Sequence, residues 1–416
     1  MKLPVRRNPP TKIHSTTQLQ GEYPAVSIEG LTHDGRGVAK IMGKTVFVTN
    51  AVPGDIVDIK IRNDKSTLAE AKVTKWQQRS ADRSSPFCDY YGRCGGCSLQ
   101  HLNLEAQRHW KQQNFLDQLR KALDCRKLII EPAYGIKDQT AYRRRARMVL
   151  TKDAKTKQPL LGFRQTNSNW VVDIEQCPVL TPALNQALQN ARFDLLPLAS
   201  RQSREVDLVE SDQGVYLNAG IYQNLASDET PSYQLNGMTF QFDPLGFIQV
   251  NASVNSALVE QAINWLELCS SDRVLDLFCG IGNFSLPLAT VSAEVIGVEG
   301  DEKAVALAKK NAKLNQLTNL SFYQSDLFQD NQHQAWWSTN YEAILLDPGR
   351  LGAKRLAENI GELQANKILY ISCQSDTLTR DLIAIEKQGY RVKRAQIFDM
   401  FPHTSHFESM VLLEKR

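Results

Sequence analysis

The sequence of 416 residues predicts an α/β protein with a small β-barrel first, a mixed central domain next and a doubly wound, Rossmann-like domain last. Three patterns predict this order. Short alternating apolar segments fill residues 25–76, strand-like and helical segments mix in residues 79–250, and strands alternate with helices in residues 251–416. We place the first domain at residues 17–78. Three domains suit this length, because one domain typically takes roughly 100 to 200 residues.

Composition and charge restrict the class of protein. With 42% hydrophobic residues the chain is too apolar to be disordered, and no apolar run approaches the roughly 18 residues of a membrane span. The basic start lacks the apolar core of a signal peptide, so we expect a cytoplasmic protein whose eight cysteines are reduced. Residues 1–150 hold 26 Lys and Arg against 14 Asp and Glu, and the remainder holds 23 against 31. A basic front half favours a polyanionic partner, with solvated surface charge as the alternative.

The first domain consists of short strands. The turn at Pro53 and Gly54 is one of the flexible corners between them. Short strands joined by turns within about fifty residues predict a barrel of the class that includes oligonucleotide-binding folds. This stretch resembles the TRAM domain, a small RNA-binding barrel. The strand segments are AVSIEGL, GRGVAKI, KTVFVTN, DIVDIKI and AEAKVTKW.

In the central domain, residues 104–122 have a helical pattern and residues 142–147 read YRRRAR. Four arginines beside a tyrosine suit a segment that binds phosphate and stacks on a base. One charged face of a strand or helix is an alternative of equal weight.

The cysteines are the clearest signal in the central domain. Cys88, Cys94 and Cys97 have the spacing C-x5-C-x2-C, and Cys177 follows about eighty residues later. Three thiols at this spacing indicate a metal site, because disulfides are disfavoured in a reducing compartment. Spacing alone does not separate zinc from an iron-sulfur cluster.

The sequence of the last domain predicts a mainly parallel sheet. Ligands of such sheets bind at the carboxyl ends of the strands. Residues 276–284, DLFCGIGNF, follow the first strand, and Glu299 ends the next, where a carboxylate can accept hydrogen bonds from ribose hydroxyls. A dinucleotide site would need a third glycine where Asn283 and Phe284 stand, and Asp276 would repel phosphate. An adenosyl ligand without phosphate, S-adenosylmethionine, therefore fits better. Asp326 and Asp347 stand at further strand ends.

The chain resembles the RNA (uracil-C5)-methyltransferases over nearly its whole length. The motifs stand in the family's order: FIQVN at 247–251, DLFCGIGNFSLPLA at 276–289, LLDPGR at 345–350, YISC at 370–373 and FPHTSHFES at 401–409. The resemblance implies that S-adenosylmethionine is contacted by Gln249, Phe278, Asn283, Glu299, Asp326 and Asp347.

Carbon 5 of uracil is too weak a nucleophile to take a methyl group unaided. A thiolate that adds to carbon 6 makes carbon 5 enolate-like, and Cys373, at the end of the fifth strand, is the nucleophile we predict. Without the surrounding motifs, a small buried residue would be the better interpretation of this cysteine. The resemblance implies Glu408 as the base that removes the carbon 5 proton.

Two details refine the resemblance. The cytosine enzymes carry a second cysteine after the Asp-Pro motif, where this chain has Gly349 and Arg350, so uracil is preferred. The family commonly continues its nucleophile motif as Ser-Cys-Asn-Pro, whereas here Gln374 keeps an amide and Ser375 replaces the proline. For His403 and His406 we prefer a positioning or packing role to metal ligation.

Family members with this cysteine pattern bind a [4Fe-4S] cluster, which implies Cys88, Cys94, Cys97 and Cys177 as its ligands. Barrel and cluster together resemble the branch that modifies uridine 1939 of 23S ribosomal RNA. We therefore expect this RNA as the partner of a monomer, with no membrane and no obligate protein partner. The alternatives are another ribosomal or transfer RNA uridine, a radical S-adenosylmethionine enzyme, which needs C-x3-C-x2-C, and an RNA-binding protein without methyltransferase activity.

Overall fold

The computed structural model describes residues 18–32, 34–137, 140–220, 223–224 and 230–416. The described chain forms two compact units. The first contains the residues up to 85 together with 99–106, and the second contains 86–98 and 107–416. The domain boundaries predicted at residues 78 and 250 stay a prediction.

The first unit is a six-stranded, mainly antiparallel sheet in the order β1-β5-β6-β4-β3-β2, with β4 and β6 parallel. Alternate side chains, including Val46, Val48, Val57 and Ile59, turn inward and form a closed apolar core. The strands predicted between residues 25 and 76 are therefore confirmed. Their bounds are β1 (Glu22–Ser27), β2 (Gly30–Leu31), β3 (Gly37–Ile41), β4 (Lys44–Thr49), β5 (Ile56–Asp64) and β6 (Leu68–Gln78).

The second unit begins with an antiparallel sheet in the order β10-β9-β8-β11-β12-β13. Helix α2 is capped by Thr181 and packs its apolar face on this sheet. Helix α1, predicted at its observed bounds, contributes the residues from Gln107 onward to this unit. The elements are α1 (Leu104–Ala122), β7 (Ile129–Ile130), β8 (Arg145–Lys152), β9 (Pro159–Arg164), β10 (Val171–Asp173), α2 (Pro182–Leu195), β11 (Arg204–Ser211), β12 (Gly214–Asn218), β13 (Gln223–Asn224), β14 (Ser232–Leu235) and β15 (Met238–Gln241).

The last part of the chain forms an eight-stranded sheet in the order β18-β17-β16-β19-β20-β22-β21-β7. The five strands from β18 to β20 are parallel, and β22 runs antiparallel between β20 and β21. The predicted alternation is confirmed. The elements are α3 (Ala252–Leu266), β16 (Arg273–Leu277), α4 (Ser285–Ala289), β17 (Glu294–Glu299), α5 (Glu302–Leu314), β18 (Leu320–Gln324), β19 (Ala343–Leu346), α6 (Lys354–Asn359), β20 (Lys367–Ser372), α7 (Ser375–Lys387), β21 (Tyr390–Phe398) and β22 (Glu408–Lys415).

Two apolar clusters cover the faces of this sheet. One joins the sheet to α3, α4 and α5, and the other joins it to α6, α7 and the second half of α1. Strands buried on both faces are read as nearly continuous apolar runs, which is why β19 is Ala-Ile-Leu-Leu. None of the helices in the described ranges is long and apolar enough to cross a membrane.

Candidate active site

The residues predicted to bind S-adenosylmethionine gather at the carboxyl ends of neighbouring parallel strands. Phe278 follows β16, Glu299 ends β17, Asp326 stands two residues after β18, and Asp347 follows β19. These four strands are adjacent in the sheet. The side chains therefore share one edge, where ligands of such sheets bind.

The glycine-rich turn after β16 is built around Glu299. One carboxylate oxygen of Glu299 accepts from the Gly280 N–H at 3.1 Å, and the other accepts from the N–H groups of Gly300 and Asp301 at 2.7 and 3.0 Å. Gly282 has φ +95°, and a Cβ there would lie 2.4 Å from Leu286 Cδ1, so only glycine fits. Three backbone donors thus fix the half-buried carboxylate in place, with lone pairs left for ligand hydroxyls.

An aromatic pair lies beside this turn. Phe278 takes a left-handed backbone conformation, φ +67°, and donates its N–H to Val298 O at 2.9 Å. Its ring meets that of Phe328 at 5.8 Å between centroids. The N–H of Phe328 in turn donates to Asp326 Oδ1 at 3.0 Å. The sequence pattern missed Phe328, since an exposed aromatic after a strand end carries no motif.

Two further residues predicted to bind S-adenosylmethionine carry amides: Asn283 in the glycine-rich turn and Gln249 shortly before α3. Asn283 and Asn255 exchange side-chain hydrogen bonds of 2.9 and 3.2 Å, and Asn255 is fully buried. Gln249 is buried, and its backbone carbonyl oxygen accepts from Arg144 Nε at 2.8 Å. Asn255 escaped sequence reasoning because it lies in no motif, and Arg144 was expected to bind phosphate as part of the segment at residues 142–147.

Two carboxyl groups of the site have raised pKa values. Burial raises the pKa of Asp276 and that of Asp347 to about 7. The Ser285 hydroxyl donates to Asp276 Oδ2, and among the described residues Asp276 Oδ1 has no hydrogen-bond partner.

Strand register brings the predicted nucleophile to the predicted base. Ser372 at the end of β20 pairs with Ser409 of β22, and the Ser409 hydroxyl donates to Ser372 O at 2.9 Å. Cys373 directly follows Ser372, and Glu408 directly precedes Ser409, so this last pair brings both to the same end of the two strands. The Glu408 carboxylate is close enough to raise the pKa of the Cys373 thiol.

The electrostatics of this pair follow from its burial. Burial, together with the nearby Glu408 and Asp347 carboxylates, raises the pKa of Cys373 to about 11, and Arg350 opposes them. Burial and Asp347 raise the pKa of Glu408 well above its ordinary value. Both groups therefore favour the neutral form in the free protein.

The turn after Cys373 forms without the family's proline. The Ser372 hydroxyl donates to Gln374 O at 3.1 Å and accepts from the Gln374 N–H at 3.0 Å. Helix α7 then begins at Ser375, and the Thr377 hydroxyl donates to Gln374 O at 3.1 Å. Hydroxyl groups thus supply the constraint at this turn.

Comparison with known proteins shows which family models and which relatives this chain matches. The family model described as tRNA (Uracil-5-)-methyltransferase matches residues 184–416, and the TRAM domain model matches residues 18–74. The 23S rRNA (uracil(1939)-C(5))-methyltransferase RlmD of Vibrio parahaemolyticus is 40% identical over 96% of this chain and 98% of that protein. Its namesake from Shewanella amazonensis is 39% identical over 94% and 95%.

The chain belongs to the uracil-5-methyltransferase family. The crystal structure of Pyrococcus abyssi tRNA (uracil-54, C5)-methyltransferase with S-adenosyl-L-homocysteine superposes with a TM-score of 0.67, at 22% identity, and covers 93% of this chain and 99% of that chain. The predicted methyltransferase fold, the TRAM domain and the family resemblance are therefore confirmed.

The arginine-rich segment at residues 142–147 has a partly internal role. Tyr142 is buried and donates its hydroxyl to Pro402 O at 3.0 Å. The Arg144 guanidinium lies 4.1 Å from the Tyr233 ring and is buried. For Tyr142 and Arg144 the structure therefore disfavours direct RNA contact, because a buried side chain cannot reach a phosphate. Arg147 is half exposed and pairs with Asp207 at 2.9 Å.

The four cysteines predicted as cluster ligands are all half-buried. Burial and the nearby Cys88 thiol raise the pKa of Cys94 and that of Cys177, and Cys94 adds to the effect on Cys177. The Gly96 N–H donates to Cys94 Sγ at 3.4 Å. Within the described ranges, no three His, Cys, Asp or Glu side chains form a group that could hold a metal ion. The predicted [4Fe-4S] centre therefore stays a prediction.

Proposed function

We propose that this uracil-5-methyltransferase transfers a methyl group from S-adenosylmethionine to carbon 5 of a uridine in 23S ribosomal RNA, uridine 1939, and yields 5-methyluridine. The observation that carries the chemistry is the pairing of Ser372 with Ser409, which brings the neighbouring Cys373 and Glu408 to one strand end, near enough for the carboxylate to raise the pKa of the thiol. The substrate is supported by the Vibrio and Shewanella relatives, whose names give that nucleotide and whose similarity extends over almost the entire chain.

The reaction needs a thiolate, then a carbanion equivalent, then a base. The Cys373 thiolate adds to carbon 6, and the carbon 5–carbon 6 π electrons move into an enolate. Carbon 5 then attacks the sulfonium methyl group, and the carbon–sulfur bond breaks to leave S-adenosylhomocysteine. Glu408 takes the proton from carbon 5, the double bond re-forms, and Cys373 leaves as a thiolate.

The raised pKa values suit this order of events. A Cys373 thiol with a pKa of about 11 is neutral until the substrate arrives, which protects it from oxidation and off-target alkylation. A buried Glu408 with a raised pKa is a stronger base once ionised than an exposed carboxylate. The Cys373 thiol therefore gives its proton to solvent before it adds to carbon 6, and Glu408 gives its own proton to solvent before it takes the one from carbon 5.

Six side chains are proposed to hold S-adenosylmethionine. Glu299 accepts hydrogen bonds from the ribose hydroxyls, since its position is fixed by three backbone donors. Phe278 supplies an apolar face and Asp326 an exposed acceptor next to it. The remaining three, Gln249, Asn283 and Asp347, are implied by the family resemblance.

We propose further that Cys88, Cys94, Cys97 and Cys177 bind a [4Fe-4S] cluster. Support comes from their spacing, from the mutual effect of the thiols on their pKa values, and from the N–H···S bond at Cys94, a type of bond that tunes such clusters. Each iron of a four-iron cluster takes one thiolate, so its ligands need not converge on a single ion. Methyl transfer involves no electron transfer, and the cluster would tie residues 86–98 to the start of α2.

The cluster is testable by colour and by composition. We expect a brown protein that absorbs near 400 nm, with about four iron atoms per chain, and a Cys94→Ser variant that loses both. A colourless protein with stoichiometric zinc would reverse the assignment to iron.

The partner and location complete the proposal. The TRAM barrel presents Arg36 against Phe47 and Arg79 against Trp76, contacts that combine positive charge with an aromatic face. We propose that the protein acts as a monomer in the cytoplasm, on ribosomal RNA, without an obligate protein partner.

The deciding experiment is mass spectrometry of RNA from a deletion strain. We expect 23S ribosomal RNA without 5-methyluridine at position 1939, restored by the wild-type gene and by Cys269→Ala but not by Cys373→Ala. Cys269 is a matched control, because it is exposed and lies outside every motif. Unchanged ribosomal RNA, with the loss found in transfer RNA, would overturn the substrate.

A further inference from the structure

The loop between β21 and β22 leads directly to Glu408 and is held by buried side chains. Lys111 on α1 donates to Asp399 Oδ1 at 2.6 Å and to Phe401 O at 3.1 Å. Tyr142 donates to Pro402 O at 3.0 Å. The loop is therefore fixed by contacts from outside its own strands.

His403 lies at the centre of this loop and is almost fully buried, with 1% of its surface exposed. Its N–H donates to Gln107 Oε1 at 2.8 Å, and Gln107 Nε2 lies 3.2 Å from His403 Nδ1. Because the amide oxygen is occupied by that N–H, the amide nitrogen must donate to Nδ1. Gln107, also fully buried, thus holds His403 by its backbone and by its ring.

The cysteine-bearing segment contacts the other side of the same residue. The Ser98 N–H donates to His403 O at 2.9 Å, and the Phe87 ring meets the His403 ring edge to face at 4.9 Å. Ser98 follows Cys97 and Phe87 precedes Cys88. His403 is accordingly clamped between α1 and the segment that carries three of the four cysteines.

We infer that His403 is a positioning residue that aims Glu408 at the carbon 5 proton, with Gln107 as its support. The inference rests on the proposed role of Glu408 as the base. A misplaced Glu408 should affect one step only, because Glu408 acts after methyl transfer, when the carbon 5 proton leaves. A displaced loop would slow the release of Cys373 and leave addition and methylation intact, so a methylated covalent RNA adduct would accumulate.

The test measures that adduct with the purified holoenzyme, ordinary uridine RNA and S-adenosylmethionine carrying a labelled methyl group. Glu408→Gln sets the scale, and we expect His403→Ala and Gln107→Leu to raise the denaturation-resistant labelled adduct roughly tenfold or more over wild type. The single-turnover rate of S-adenosylhomocysteine formation should stay within about twofold of wild type, which a loosened active site would not allow.

Rescue by a conservative variant separates positioning from folding. His403 has φ +66°, a conformation that asparagine adopts more readily than alanine, and an asparagine Oδ1 can accept from Gln107 where Nδ1 does. His403→Asn should therefore return the adduct to within about threefold of wild type. Should His403→Ala fail to fold, Gln107→Leu and His403→Asn still provide the comparison.

Gln112→Leu is the matched control. Gln112 lies on the same helix, and its amide also makes one donated and one accepted backbone hydrogen bond, to Glu131 O and from the Ala133 N–H, each 3.2 Å. We expect lower stability and no extra adduct. Equal adduct in Gln112→Leu, or none in His403→Ala and Gln107→Leu while Glu408→Gln accumulates it, would overturn the inference. No adduct in Glu408→Gln would remove the proposed base, and this inference with it.

Discussion

Cys373 is half-buried and has a neutral resting thiol. Burial and two carboxylates raise its pKa to about 11, so the thiolate fraction grows with pH throughout the accessible range. We expect its alkylation by iodoacetamide to accelerate about tenfold per pH unit between pH 7 and 10, because the thiolate is the reactive form. Peptide mass spectrometry would measure the rate. A plateau below pH 9 would contradict the raised pKa.

The carboxylate next to it tests the cause of that shift. Asp347→Asn removes a negative charge beside Cys373, so the pKa of the thiol should fall and alkylation at pH 8 should become severalfold faster. Asp326→Asn is the control. Asp326 is exposed and follows β18, which three other strands separate from β20, the strand that leads to Cys373. Equal acceleration in both variants would assign the effect to net charge instead.

At the scale of elements, the sheet strands could be predicted because burial on both faces leaves long apolar runs, as in β19 and β20. Strand β7 could not be, because it has two residues and exists through pairing with Arg394 and Ala395 of β21. The clamp on His403 escaped for a similar reason. Its partners lie some 300 residues away in the chain, and no local pattern records such a contact.

The turn between β16 and β17 yields a prediction for ligand binding. Both oxygens of Glu299 accept from backbone N–H groups, so Glu299→Gln turns one acceptor into a donor that faces a donor. Loss of a charge-assisted hydrogen bond costs about 1.5–3 kcal/mol, hence a Kd for S-adenosylmethionine roughly 10 to 100 times weaker. Titration calorimetry measures it.

Glu294→Gln is the control for that variant. Glu294 opens the same strand at its opposite end and pairs with Arg273 at 2.7 Å on the surface. Affinity should stay within about twofold, since exposed ion pairs contribute little. A comparable loss of affinity in both variants would point to disruption of β17 as a whole.

For the whole molecule, the charge division and the motif order predicted much of the function. The buried residues that hold the site in place could not be predicted from the sequence. The basic front half carries the barrel that the TRAM model matches. Arg144 belongs to the same basic count yet is buried. Sequence charge therefore indicates a partner class without telling which cations meet it, because burial is decided by tertiary contacts.

The buried Asp276 carboxyl group makes the stability of the second unit depend on pH. Asp276 is fully buried, and burial is the main cause that raises its pKa from 3.8 to about 7. The fold thus favours the protonated carboxyl, and this stabilisation is complete below about pH 4 and is lost as the pH rises through about 7. An amide in its place stays neutral at every pH and can still accept from the Ser285 hydroxyl.

We therefore expect Asp276→Asn, without S-adenosylmethionine, to match the wild-type free energy of unfolding near pH 4.5 and to exceed it at pH 8. The gain is at most about 4 kcal/mol, from three pH units at about 1.4 kcal/mol each. Denaturant titration followed by the fluorescence of Trp265 and Trp336, both buried in the second unit, measures it. A variant that is less stable at both pH values would mean that the ionised carboxylate is stabilised by the fold.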